Sequence, residues 1–165
     1  MQTFDPVTDV LRSQLVLDDG QWPNFHDAEV RDLKIWRGDV RPEENVWTGP
    51  VIEASFELCA LREPYIAALK FHDCDAITLE GFNQQNAVYD LRFERFDRGT
   101  LNDGSPMTPG IAVSFEQSFG AALSFNCMRV EALGRRPVET STLQDLLRTL
   151  APRLLPAESV FCSVL

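Results

Sequence analysis

At 165 residues, 44% hydrophobic and 24% charged, the chain has the size and make-up of a single domain that needs no metal or disulfide merely to fold. A net charge of −10, with lysine only at positions 34 and 70 and scattered arginines, repels phosphate backbones; it argues against nucleic-acid binding and favours encounter with a basic partner. No run approaches the roughly 18 apolar residues of a membrane span and the amino-terminal Met1-Gln2-Thr3-Phe4-Asp5-Pro6 has no leader character, so no membrane association and a cytoplasmic location are expected.

Asp5 and Pro6 supply an N-cap and a helix-starting proline, and Val7, Val10, Leu11 and Leu15 recur at helical spacing, which predicts a first helix from Pro6 to about Leu17. Asp18-Asp19-Gly20 ends it, and Trp22-Pro23 delivers the chain into Phe25-His26-Asp27 in an extended or turn conformation. The period then changes to two. Strands are predicted at Val30 to Trp36, Val51 to Leu61, Tyr65 to Phe71, Ala76 to Glu80, Ala87 to Phe96, Ile111 to Phe119 and Ala122 to Leu133. In the fifth, Ala87, Tyr89, Leu91 and Phe93 fall on one face and Asp90, Arg92 and Glu94 on the other, the pattern of an antiparallel sheet with one solvated side. Two long connections, 37–50 and 97–110, are rich in Gly and Pro and exceed ordinary hairpin loops, which marks them as mobile, functional or both. Ser141 and Gln144 match a capping box, and Leu143, Leu146, Leu147 and Leu150 form a helical stripe ended by Pro152; the tail from Leu154 to Leu165 is expected either to add a short last strand around Val160 to Val164 or to form an oligomer contact. The fold class is therefore α+β, mostly β: one domain with an antiparallel sheet of about seven strands, as a sandwich or partly open barrel, and a helix toward each end.

The two histidines stand in near-copies of one phrase, Phe25-His26-Asp27-Ala28-Glu29 and Phe71-His72-Asp73-Cys74-Asp75. Two imidazoles and two carboxylates, His26, Asp27, His72 and Asp73, are a donor set suited to zinc or non-haem iron, and a metal-dependent enzyme or small-ligand protein is the alternative reading they carry. In an extended chain, however, His26 shares a face with Ala28 and Asp27 with Glu29, so His and Asp of one phrase converge only through a turn. The plainer reading anchors Phe25 in the core and has Asp27 accept backbone N–H bonds at a turn, with His26 held by a carbonyl or carboxylate; a partner-facing role for Asp27 and Glu29 is a separate reading. No cofactor is predicted.

Asn83-Gln84-Gln85-Asn86 sets four amides in a row between two strands; such a loop can read a partner's backbone or simply close a hairpin with local caps. Cys59, Cys74, Cys127 and Cys162 are widely spaced without a CxxC pair and read as free thiols. Asp73 and Asp75 would raise the Cys74 thiol, which argues against a nucleophile paired with His72. Phe115, Phe119 and Phe125 read as core, while Trp36 and Trp47 flank the first long loop as burial or anchor positions.

Trp22-Pro23-Asn24-Phe25-His26-Asp27-Ala28-Glu29-Val30 followed by a strand, Leu79-Glu80-Gly81-Phe82-Asn83-Gln84-Gln85-Asn86 followed by a strand, and Leu123-Ser124-Phe125-Asn126-Cys127 together resemble the immunity protein 50 family of small bacterial proteins associated with polymorphic toxins. The resemblance spans about Trp22 to Leu133. It implies a mostly β domain without catalysis, acting by non-covalent binding and occlusion of a cognate protein toxin; it brings no catalytic residues with it. The partner-facing candidates are then Asp27, Glu29, Asn83, Gln84, Gln85 and Asn86.

Overall fold

The alternating segments become long strands, and their pairing follows from which faces they must bury. The computed structural model describes residues 3–38, 40–41, 46–47, 49–58 and 63–138. The expected helix over Ser141 to Leu150, the tail, Cys59, Cys162 and the Trp47 side chain lie outside the described residues. The elements in chain order are a one-turn helix α1 (Pro6–Asp9), β1 (Ala28–Trp36), β2 (Val40–Arg41), β3 (Val46–Trp47), β4 (Val51–Leu58), β5 (Tyr65–His72), β6 (Asp75–Glu80), β7 (Ala87–Phe96), β8 (Gly110–Phe119), β9 (Ala122–Cys127) and β10 (Arg129–Pro137). Among the described residues, eight strands form one open antiparallel sheet in the order β10-β5-β4-β1-β7-β8-β9-β6, and β2 with β3 forms a separate small hairpin within the first long connection.

Eight strands replace the expected seven because Ala122 to Leu133 is not one strand. At Met128 the chain leaves β6, which β9 pairs, and joins β5, which β10 pairs. The companion strand bends at the same level, β5 ending at His72 and β6 starting at Asp75, and the Met128 amide donates to the His72 carbonyl at 3.0 Å across the corner. The sheet thus has two wings, β10-β5-β4-β1 and β7-β8-β9-β6, which share a bent two-stranded ribbon. Such corners are the usual way strands pass from one layer to the next. The wings are also joined where β1 meets β7, but only Ala28↔Val88 and Glu29↔Ala87 pair there before the strands diverge.

The core lies between the wings. Phe56 and Phe71 from one wing meet Phe115 and Phe125 from the other, with ring centroids 5.1 Å apart for Phe56 and Phe115 and 4.9 Å for Phe71 and Phe125. Phe25 stands edge-on to Phe56 at 5.1 Å, and the cluster continues through Ile52, Leu69, Val88, Val113, Leu123 and Val130. Rings packed edge-to-face at these separations combine large apolar burial with favourable quadrupole geometry.

The first helix is shorter than its apolar spacing predicts. Asp5 does cap it, accepting from the Val7 amide at 3.0 Å, and Pro6 is its first residue. It stops after Asp9 because Val10 is extended and Arg12 left-handed, and Leu11 is drawn onto the free edge of β10. The Leu11 amide donates to the Val130 carbonyl and the Ala132 amide to the Leu11 carbonyl, both at 2.9 Å. Satisfying an exposed sheet edge outweighs continuing a helix with little else to pack on. Phe4 then stacks on Phe93 at 5.0 Å and Trp22 meets Phe93 at 6.1 Å, filling the gap where β1 and β7 diverge. No helix among the described residues is long and apolar enough to cross a membrane. The second long connection, 97–110, is folded back on itself: Leu101, Gly104 and Met107 amides donate within it, and the Asp97 and Asp103 carboxylates take the Gly99 and Ser105 amides at 2.8 and 2.9 Å.

Candidate protein-binding surface

Both Phe-His-Asp phrases use one backbone device. Phe25 and Phe71 are buried, Asp27 and Asp73 adopt left-handed backbone with φ of 61° and 55°, and Ala28 and Cys74 are buried again. In an extended chain the first and third residues of each phrase would share a face; the left-handed third residue resets the phase so that the first and fourth point inward. Asp is among the few non-glycine residues that adopt this conformation at small cost. This corrects the expectation that His26 shares a face with Ala28.

The surroundings of the two phrases differ. His26 is exposed; its Nδ1 lies 3.0 Å from Asp27 Oδ2 and its ring 4.8 Å from Tyr89. The Asn24 side chain, rather than Asp27, accepts the local backbone amide, that of His26, at 3.0 Å, and the Ala28 amide closes a turn on the Phe25 carbonyl. His72 is largely covered, with Nε2 3.0 Å from Glu131 Oε2, and Glu131 Oε1 is 3.0 Å from Arg12. Burial pushes His72 below its ordinary value; the Glu131 hydrogen bond opposes this, and the charges of Arg129 and Lys70 add to it. Asp73 accepts the Gly49 amide at 2.8 Å. The four candidate ligands His26, Asp27, His72 and Asp73 are thus distributed between two separate pairings, and among the described residues no three His, Cys, Asp or Glu side chains group as a metal-binding set. Cys74 and Cys127 are buried free thiols; burial, with Asp73 and Asp75 adding, pushes Cys74 up to about 12, far from a reactive thiolate.

The first phrase lies instead beside the amide loop. Glu29 pairs with Ala87 and the Val30 amide donates to the Asn86 carbonyl at 2.9 Å, so residues 25–29 and 81–86 border each other on one rim of the sheet. The loop is internally fixed. Asn86 is buried, its Oδ1 accepting the Asn83 amide at 2.9 Å and its Nδ2 donating to the Asn83 carbonyl at 2.7 Å; Asn83 Oδ1 accepts the Gln85 amide at 2.8 Å. Asn86 is therefore a clamp rather than a partner-facing residue, which corrects its place among the candidates, while Asn83, Gln84 and Gln85 are exposed. The loop lies across the β8–β9 turn: a Cβ on Gly120 would collide with the Gln85 carbonyl, and one on Gly81 with the Gly120 carbonyl. Both glycines also have left-handed φ, so the approach is open only to glycine.

The rim carries three aromatic residues that sequence patterning misplaced or passed over. Phe82 is 52% exposed, Tyr89 50% and Phe119 64%. Tyr89 leaves the predicted inward face because the β7–β8 register shifts on either side of Val88, so that Val88 turns inward and Tyr89 outward. Phe119 is the last residue of β8, beyond the cover of the core, which corrects its reading as core; Phe115 and Phe125 are buried as expected. Trp36 is half-buried, with the Lys70 ammonium 5.3 Å from its ring centroid. On the far edge of the other wing, an open cleft of about 510 Å³ is lined by Asp18, Glu63, Tyr65 and Arg135, but Arg135 there already donates to the Leu17 carbonyl at 2.9 Å and lies over the Tyr65 ring.

Such a rim can bind: fixed backbone, amides that donate and accept, carboxylates and exposed rings in one place are what a protein interface is made of. Compared with known proteins, the chain matches no family model, no curated protein and no solved structure.

Proposed function

We propose that this protein is a binding module that neutralises a protein toxin by non-covalent occlusion, without catalysis of its own, as its resemblance to the immunity protein 50 family implies. The observation that supports this reading is the meeting of two separate sequence blocks on one rim: Asp27 and Glu29 from the first stand beside Asn83, Gln84 and Gln85 from the second through the Val30–Asn86 hydrogen bond. Residues 24–29, 79–90 and 117–123, which build the rim, include Asp27, Glu29, Glu80 and Asp90 and neither lysine nor arginine. An acidic, preorganised surface suits capture of a basic enzyme, where electrostatic steering speeds encounter.

The test is co-expression with each toxin-domain protein encoded beside the gene. Host cells are expected to survive a toxin that otherwise kills them, and the two purified proteins to form a stable complex. Failure to protect against every neighbouring toxin, together with absence of a complex, sinks the reading.

A further inference from the structure

Resting on the protein-binding reading above, we infer that Phe82, Tyr89 and Phe119 are the anchors of the docking face and that its occupant is a basic protein surface with apolar sockets between its cationic groups. Phe82, Tyr89 and Phe119 are the exposed aromatic side chains among the described residues, and all belong to one rim. Phe82 follows Gly81 and Phe119 precedes Gly120, the two glycines whose backbones touch, so the rings leave from adjoining points of a rigid turn. Tyr89 stands against His26 in the turn that leads into the neighbouring strand, β1. Rings held on fixed backbone lose little freedom on binding, which is why aromatic residues dominate interface energetics.

Charge selects the kind of partner. The cations that reach the rim's carboxylates are each shared with a second one: Arg31 is 3.6 Å from Glu29 and 2.5 Å from Glu57, and Arg92 is 3.1 Å from Asp90 and 2.8 Å from Glu116. The rings are therefore framed by net negative charge. A second copy of this chain would bring the same carboxylates and the same overall charge of −10, and nucleic acid or an anionic membrane would be repelled likewise. A cationic protein surface gains from both features, its basic groups meeting the carboxylates while apolar side chains cover the rings.

The probe is the neighbouring toxin domain, and affinity is measured for the wild type, Phe82→Ala, Phe119→Ala, their double variant and Asp27→Asn/Glu80→Gln. Each ring substitution should weaken binding about 30-fold without changing the melting temperature. The charge variant should slow association and flatten its decline between about 50 and 300 mM salt. A wild type that protects and binds while both ring variants bind equally well overturns this inference and leaves the functional reading standing. A wild type that neither binds nor protects overturns both. A homodimer of the free protein that the double ring variant abolishes assigns the rim to self-association and overturns the basic-partner inference. Because both rings are exposed, matching melts verify that lost binding is not lost fold; the charge variant gives a second readout independent of packing.

Discussion

At residues 25–29 the chain turns into the sheet on an exposed rim, and at residues 71–75 it rounds a corner against the core. Both places use a buried Phe, a left-handed Asp and a buried fourth residue, yet their hydrogen bonds run differently. In the first, the fourth residue's amide returns to the Phe carbonyl, a closed local turn. In the second, the Cys74 amide reaches the Pro50 carbonyl at 2.7 Å, leaving the thiol to donate to the Phe71 carbonyl at 3.4 Å, while Asp73 holds Gly49. A self-contained turn leaves its polar side chains free for a partner; a turn tied to a distant segment spends them on the fold. The same five-residue pattern therefore forms an exposed turn on the proposed interface in one place and a joint of the fold in the other.

The largest effect should come from the ring at the joint. Phe71→Ala removes a fully buried side chain that touches Phe115 and Phe125 across the wings, and should cost about 3–5 kcal/mol in urea unfolding. A loss under 1 kcal/mol would mean that the wings do not depend on this packing. Next comes the contrast between the aspartates. Asp73→Ala strains a left-handed residue and strips the Gly49 amide of its acceptor, at a cost of about 2 kcal/mol. Gly49 packs closely on this turn, since a Cβ added there would stand 2.9 Å from Asp73 Cα. Equal losses for Asp73→Ala and Asp27→Ala would erase the distinction between joint and interface.

Much of this architecture is legible in the sequence, and the parts that are not share a cause. Strands such as Ala87 to Phe96 announce themselves because alternation is local. The division at Met128 leaves a local trace, the buried positions shifting phase from Leu123, Phe125 and Cys127 to Val130 and Ala132, but which strand each half joins is a property of the whole sheet. The first helix fails for the same reason: Val7, Val10, Leu11 and Leu15 are spaced for a helix, but the open edge of β10 claims Leu11. At the site, Asp27, Glu29 and the amide loop are visible as polar clusters, whereas Tyr89 hides behind a register shift that no periodicity reveals. Phe119 carries one usable signal: the glycine after it ends the strand and with it the cover of the core. Asn86 looks like its amide neighbours and differs only in being turned inward.

His72 offers a finer test, read as a slope. It is held below its ordinary value by burial, so the folded protein resists a proton that the unfolded chain accepts near pH 6.5. More protons on the unfolded side means stability rises with pH through this window; the contribution is present above about pH 6.5 and is lost as pH falls toward the folded value. Urea midpoints should therefore decline between about pH 7.5 and 5.5 in the wild type and less steeply in His72→Gln. Glu131→Gln, which removes the group that opposes the shift, should steepen the decline. A wild-type midpoint that stays flat would mean His72 is not shielded at the joint.

The smallest expected effect falls on the interface side. Asp27→Asn keeps a residue that accepts left-handed backbone and touches only an exposed pair with His26, so stability should move by no more than about 0.5 kcal/mol. Asp27→Gly relieves the backbone at once and should be similarly neutral, its gain in the fold offset by the extra freedom of the unfolded chain. A near-zero change in the melt with a clear fall in toxin affinity is the pattern of a residue kept for its partner. A loss of 2 kcal/mol in Asp27→Asn would instead show the carboxylate fixing the turn, and would make the first phrase a joint like the second.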